Sequence, residues 1–176
     1  QGNGDSSVFN GVYGGAGNDV LFGGQNDDQI YGEGDNDFMR GRQGDDELFG
    51  GNGSDFIRGN DGDDSIQGDK GTDQLFGGRG DDTILGGGGT DVINGGSGND
   101  VLTGGGSADY FLFNRRSGDD EITDFSNDVD KLDLTAFAVG STSDMTNAGA
   151  LVANGAGSII DLTQIGGDGV IYVEDM

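Results

Sequence analysis

The chain is expected to be all-β, a parallel solenoid of short repeats closed at its C-terminal end by a β capping region, and three observations in the sequence carry that expectation. An aspartate stands at every ninth residue from Asp19 to Asp109. An apolar residue follows each of them two places later, and a glycine opens every unit. Cut from Gly14, the chain gives eleven consecutive units in one register, GGAGNDVLF, GGQNDDQIY, GEGDNDFMR and so on to GGGSADYFL. A fixed short period with one core side chain per unit describes a solenoid whose units cannot bury a face alone and must stack.

Residues 1–13 precede the repeats and hold a weak half-unit, Asn10-Gly-Val-Tyr13, expected as the first strand or N-terminal edge cap. Residues 14–112 are the solenoid. Position four is Gly in eight units and Asn26, Asp35 or Ser107 in the rest, the residue types that tolerate positive φ. After Tyr110 the phase is lost, and apolar residues alternate at Ile122, Phe125, Leu132 and Leu134. Leu151 to Ala153, Ser158 to Leu162 and Val170 to Val173 read as further strands, the last two separated by a Gly-rich turn at Gly166 to Gly169. Residues 113–176 are therefore expected to form a C-terminal cap on one elongated domain, together with any secretion-signal region.

Composition narrows the function classes. The formal charge is −25, with 33 acidic residues against 8 basic ones and 40 glycines, while Pro, Cys, His and Trp are absent. Without His or Cys there can be no zinc-protease motif, no Ser-His-Asp triad and no Cys-His pair, so the chain is expected not to be an enzyme. Nucleic acid is an improbable partner at this charge. No stretch reaches the apolar length of a membrane span. Gln1 in place of an initiator Met leads us to expect a piece of a longer chain.

The G-G-x-G-x-D-x-U-x unit resembles the RTX (repeats-in-toxin) nonapeptide, and the resemblance runs over residues 14 to 112. It implies a right-handed parallel β-roll in which the first part of each unit turns, the last part forms a short strand, and two nonapeptide units make one coil. Unit n then stacks on unit n+2. The segment from Tyr110 is similar to the one that follows the repeats in serralysin-type proteases and other exported RTX enzymes. The resemblance also implies secretion by the type I machinery to an extracellular destination, as part of a larger protein with an N-terminal catalytic or adhesive domain.

Stacking at about 4.8 Å per strand would bring the aspartates into two columns. Neighbouring carboxylates would then repel by about 0.9 kcal/mol in bulk water, and by about four times that at an effective dielectric of 20. High charge with one core residue per unit would ordinarily leave a chain disordered. Ca²⁺ answers both problems, because it takes six to eight carboxylate and carbonyl oxygens in irregular geometry. Mg²⁺ holds its waters in a rigid octahedron, Zn²⁺ lacks its preferred His or Cys, and no EF-hand spacing is present.

The resemblance assigns each site the carbonyls of positions two and four and the Asp of one unit, with the carbonyls of positions one and three and the Asp of the next unit but one. Gly15, Gly17 and Asp19 would join Gly32, Gly34 and Asp37. Gly24, Asn26 and Asp28 would join Gly41, Gln43 and Asp46, and Glu33, Asp35 and Asp37 would join Gly50, Asn52 and Asp55. Next come Arg42, Gly44 and Asp46 with Gly59, Asp61 and Asp64, and then Gly51, Gly53 and Asp55 with Gly68, Lys70 and Asp73. Asn60, Gly62 and Asp64 would pair with Gly77, Arg79 and Asp82, and Asp69, Gly71 and Asp73 with Gly86, Gly88 and Asp91. The last two sets are Gly78, Gly80 and Asp82 with Gly95, Ser97 and Asp100, and Gly87, Gly89 and Asp91 with Gly104, Gly106 and Asp109. Nine pairs give about nine Ca²⁺, whose charge offsets most of the −25.

Positions seven and nine are expected to point outward, with one face carrying Phe38, Phe56 and Phe76 beside Arg40 and Arg58. Two function classes follow. One is a calcium-binding module that folds on exposure to extracellular Ca²⁺ and serves secretion, folding and stability of its parent. The other is a ligand-binding module for an anionic polysaccharide or for adhesion, similar to the R-modules of alginate epimerases. An acidic rod repels polyanions unless ions shield it, which weighs for the first.

Overall fold

A computed structural model of the protein describes residues 11–126, 129–137, 151–153, 158–161 and 170–173. Its strands, in chain order, begin with β1 (Val12–Ala16), β2 (Val20–Phe22), β3 (Gln29–Gly34), β4 (Phe38–Gln43), β5 (Glu47–Asn52) and β6 (Phe56–Asp61). They continue with β7 (Ser65–Lys70), β8 (Gln74–Arg79), β9 (Thr83–Gly88), β10 (Val92–Ser97), β11 (Val101–Gly106) and β12 (Tyr110–Leu112). The C-terminal region adds β13 (Asp120–Ile122), β14 (Lys131–Asp133), β15 (Leu151–Ala153), β16 (Ser158–Asp161) and β17 (Val170–Val173).

Odd and even strands separate into two sheets. One runs β1-β3-β5-β7-β9-β11-β13 and continues through β17, β16 and β15; the other runs β2-β4-β6-β8-β10-β12-β14. Within the repeats every pairing is parallel and offset by two nonapeptide units, as in Leu48↔Ile66 and Ile57↔Leu75. The fold is thus the parallel β-solenoid, two units to the coil, that the repeat implied. Beyond the repeats, β17 adds parallel to β13, and β16 and β15 then add antiparallel.

Most repeat strands are longer than the resemblance implied, because they take in positions one to three of the next unit. Position two stays in the ladder despite a left-handed backbone. Glu33, Arg42, Asn60 and Asp69 have φ of 75°, 95°, 92° and 72° there, and each costs about 1 kcal/mol or more relative to glycine. Position four likewise admits Asp35 (φ 69°) and Ser107 (φ 98°), but not in every coil. A Cβ on Gly71 (φ 148°) would run into the carbonyl of Gly53 in the coil below, so close stacking there demands glycine.

The core is a single file. Leu21, Ile30, Met39, Leu48, Ile57, Ile66, Leu75, Ile84, Ile93, Leu102 and Phe111, the eleven position-eight residues, are at most 2% exposed. Val12 extends the file at the N-terminal end by pairing with Ile30, so the half-unit before Gly14 is a first strand. Residues 1–10 lie outside the described residues, as does the turn expected at Gly166 to Gly169. At the other end Phe113, Ile122, Phe125 and Leu134 are buried and Leu132 packs against them.

Aromatic ladders mark the stacking on both outer faces. Tyr13, Tyr31 and Phe49 stack on the odd sheet with centroids 4.9 and 4.8 Å apart, and Phe38 stacks on Phe56 at 5.2 Å on the even one. Aromatic side chains are therefore not confined to the even face.

Candidate metal centre

Each turn delivers its aspartate inward. From Asp37 to Asp109 the position-six side chains are at most 3% exposed, dry positions for carboxylates. One oxygen of each is satisfied. The Asp37 N–H donates to Asp55 Oδ1 at 2.8 Å, the Asp55 N–H to Asp73 Oδ1 at 2.8 Å, and the Asp73 N–H to Asp91 Oδ1 at 2.9 Å. The same bond repeats in the second column, as from Asp46 to Asp64 and from Asp64 to Asp82, both at 2.8 Å.

The other oxygen is left over. Oδ2 of Asp19, Asp37, Asp46, Asp55, Asp64, Asp73, Asp82, Asp91, Asp100 and Asp109 is buried and has no hydrogen-bond partner. A buried acceptor without a donor costs about 1–3 kcal/mol, and more when charged. Ten in register are a systematic demand for positive charge.

The pKa values record the same demand. Burial raises the carboxyl of Asp82 to about 8 and those of Asp46, Asp64 and Asp73 to about 7. The backbone N–H from the preceding coil opposes this, and neighbouring carboxylates add to it. Asp100 and Asp109 are raised to about 6 for the same leading reason, and Asp37, Asp55 and Asp91 are raised as well.

Backbone carbonyls of adjoining coils converge between the turns, as the layer between Asp73 and Asp91 shows. The carbonyls of Asp69 and Gly71 point up, onto Gly87 and Gly89 of the next coil. From above, the Gly86 carbonyl and Asp73 Oδ2 each lie 2.6 Å from one point, where a Cβ on Gly68 would sit. The Gly88 carbonyl comes down to accept from the Gly71 N–H at 2.9 Å and keeps a second lone pair. Carbonyls and carboxylates thus enclose a layer of oxygens with few donors, the surroundings a hard cation requires. Among the described residues no three acidic side chains converge as a metal-holding group, so carbonyls would supply much of any coordination shell.

The second set departs from this pattern. Gly24 and Asn26 are absent from the positive-φ positions, and the Gly24 N–H donates to Asp28 Oδ2 at 2.6 Å. The Arg42 guanidinium also donates to the Gly23 carbonyl at 3.0 Å. The oxygen left free elsewhere in the file is therefore already satisfied at Asp28.

Two aspartates escaped the sequence reading. Asp120 accepts from the Asp100 N–H at 3.0 Å and Asp130 from the Asp109 N–H at 2.9 Å, which continues the ladder past the repeats. Their spacings are 20 and 21 residues, outside the period, and the surviving signal was the string Gly118-Asp-Asp-Glu-Ile122.

A parallel roll whose turns stack carboxylates and carbonyls coil upon coil belongs to the class of cation-binding solenoids. The family model of the RTX calcium-binding nonapeptide repeat matches residues 13–48, 49–84 and 85–115, more than half of the chain. The chain belongs to this RTX family and is a Ca²⁺-binding module. No curated protein matches it at a significant level.

Proposed function

We propose that this chain is the calcium-triggered folding module of a larger exported protein, extended and soft at low Ca²⁺ and folded outside the cell. The file of buried, unpartnered Oδ2 atoms carries this reading, because it makes cation binding and folding one free energy. The nine sets of carbonyls and aspartates are its sites, with the Asp28 set the weakest. The type I secretion machinery and an N-terminal catalytic or adhesive domain are its partners, and its role is to stabilise the parent rather than to catalyse. RTX repeats are typical of secreted proteins, and no helix among the described residues is long and apolar enough to cross a membrane.

Asp73 would serve two ions, one with Asp55 and one with Asp91. Asp73→Asn is expected to lower the calcium stoichiometry measured by titration calorimetry and to raise the calcium midpoint of folding about tenfold or more, from loss of charge-assisted contacts. Asp63→Asn, the same charge change at an exposed position beside Asp64 in the other column of turns, serves as control. Equal midpoints in the two variants would refute the sites.

A second reading rests on the distribution of the few cations. Arg40, Arg42, Arg58, Arg79 and Lys131 lie on strands of the even sheet, whereas Lys70 alone lies on an odd strand. Arg40 and Arg58 are register partners, each beside a phenylalanine ring, and Arg58, Phe76, Arg79, Asn94 and Arg116 line a groove of about 430 Å³. Guanidinium groups over aromatic surface suit a carboxylated polysaccharide or an acidic partner domain. Arg40→Ala combined with Arg58→Ala is expected to abolish retention on alginate gels. Retention that is unchanged, or absent from the start, removes the polysaccharide reading.

A further inference from the structure

We infer that the cap completes a cation site of its own at the Asp100–Asp120 pair, so that closing the C-terminal end of the roll is itself an ion-binding event; this rests on the calcium reading above. The nonapeptide phase ends at Leu112 and the family match at residue 115. The geometry continues nonetheless. Two extra residues are absorbed after β12, with Phe113 turned into the core, and the chain re-enters the repeat conformation. Ser117 takes the place of position three, since its carbonyl accepts from the Gly98 N–H at 3.1 Å just as the Ser97 carbonyl accepts from the Gly80 N–H at 2.9 Å. Gly118 takes position four, with φ 92° and no room for a Cβ, which would run into the Gly98 carbonyl. Asp120 takes position six at 1% exposure.

Two independent observations point into this layer. Asp100 Oδ2 is buried and has no donor, although a roll that ended at the last repeat would leave it open to water. The Ser117 hydroxyl, 1% exposed and three residues before Asp120, is likewise buried without a hydrogen-bond partner. Two carboxylates, a hydroxyl and the carbonyls of Gly98 and Ser117 make an all-oxygen donor set that suits Ca²⁺. In the other column the ladder stops one step later: the Ser126 N–H donates to Asp130 Oδ2 at 2.8 Å, so the protein's own backbone occupies that oxygen.

The test is calcium stoichiometry of the full chain by calorimetry, with hydrogen exchange of residues 120–134 followed at saturating Ca²⁺. Asp120→Asn keeps an acceptor for the Asp100 N–H and is expected to lose one ion and to speed exchange in the cap while the repeats stay protected. Glu121→Gln, the same charge change on the outer face, is expected to lose none. Should Asp120→Asn unfold the cap and shed several ions, Ser117→Ala decides, and it is expected to weaken a single site about tenfold with no change of charge. Unaltered binding in both Asp120→Asn and Ser117→Ala overturns the inference and leaves the calcium reading standing. A wild-type chain that binds no Ca²⁺ overturns that reading itself.

Discussion

Stripped of divalent ions at pH 8, the 176-residue chain is expected to lose most of its β signal in far-UV circular dichroism and to regain it cooperatively with CaCl₂ but not with MgCl₂. One core residue per nine is a thin apolar reward for ordering so much glycine-rich backbone. Against it stand ten buried carboxylate oxygens without donors and a net charge of −25. Ca²⁺ removes the repulsion and supplies the missing partners in one step, and its tolerance of irregular oxygen shells suits carbonyls fixed by the ladder. Mg²⁺ would have to surrender waters to a geometry the turns do not offer. A chain already folded in chelator, with the same signal after Ca²⁺, would show that the column needs no ion and sink the proposal.

Protons are expected to replace calcium in part. Burial holds the folded carboxyls of Asp46, Asp64 and Asp73 near 7 and that of Asp82 near 8, against 3.8 in the unfolded chain. The metal-free folded state therefore binds more protons than the unfolded one between those values. This contribution is fully present below about pH 4 and is lost as pH rises through about 6 to 8. Metal-stripped protein brought from pH 8 to pH 5 in chelating-resin-treated buffer should gain β signal with no ion added. Calcium should bind more weakly at pH 5, since each ligand must first lose its proton. A metal-free spectrum unchanged between the two pH values would contradict the burial of the column.

Much of this was legible because the repeat leaves so few choices. With a single apolar residue at position eight, nothing else could fill the core, and Leu21 to Phe111 do. The aspartate column was equally plain. Strand length was not, since nothing in the residues of positions one to three announces that they stay paired while position two bends to positive φ. Nor was the continuation at Asp120 and Asp130, because a small bulge destroys a periodicity while leaving the contact intact. The satisfied Oδ2 of Asp28 depends on a local backbone choice at Gly24 that its neighbours do not make.

Because each coil holds two units, the molecule has a parity. Inserting a pair of units would lengthen it and leave both outer faces as they are, with arginines meeting arginines and aromatic rings meeting rings. Inserting a single unit would pass every core and aspartate test yet exchange the faces of everything beyond it, moving the groove of Arg58 and Phe76 to the opposite side. Such a roll can grow or shrink only in even steps if what it displays to a partner is to survive.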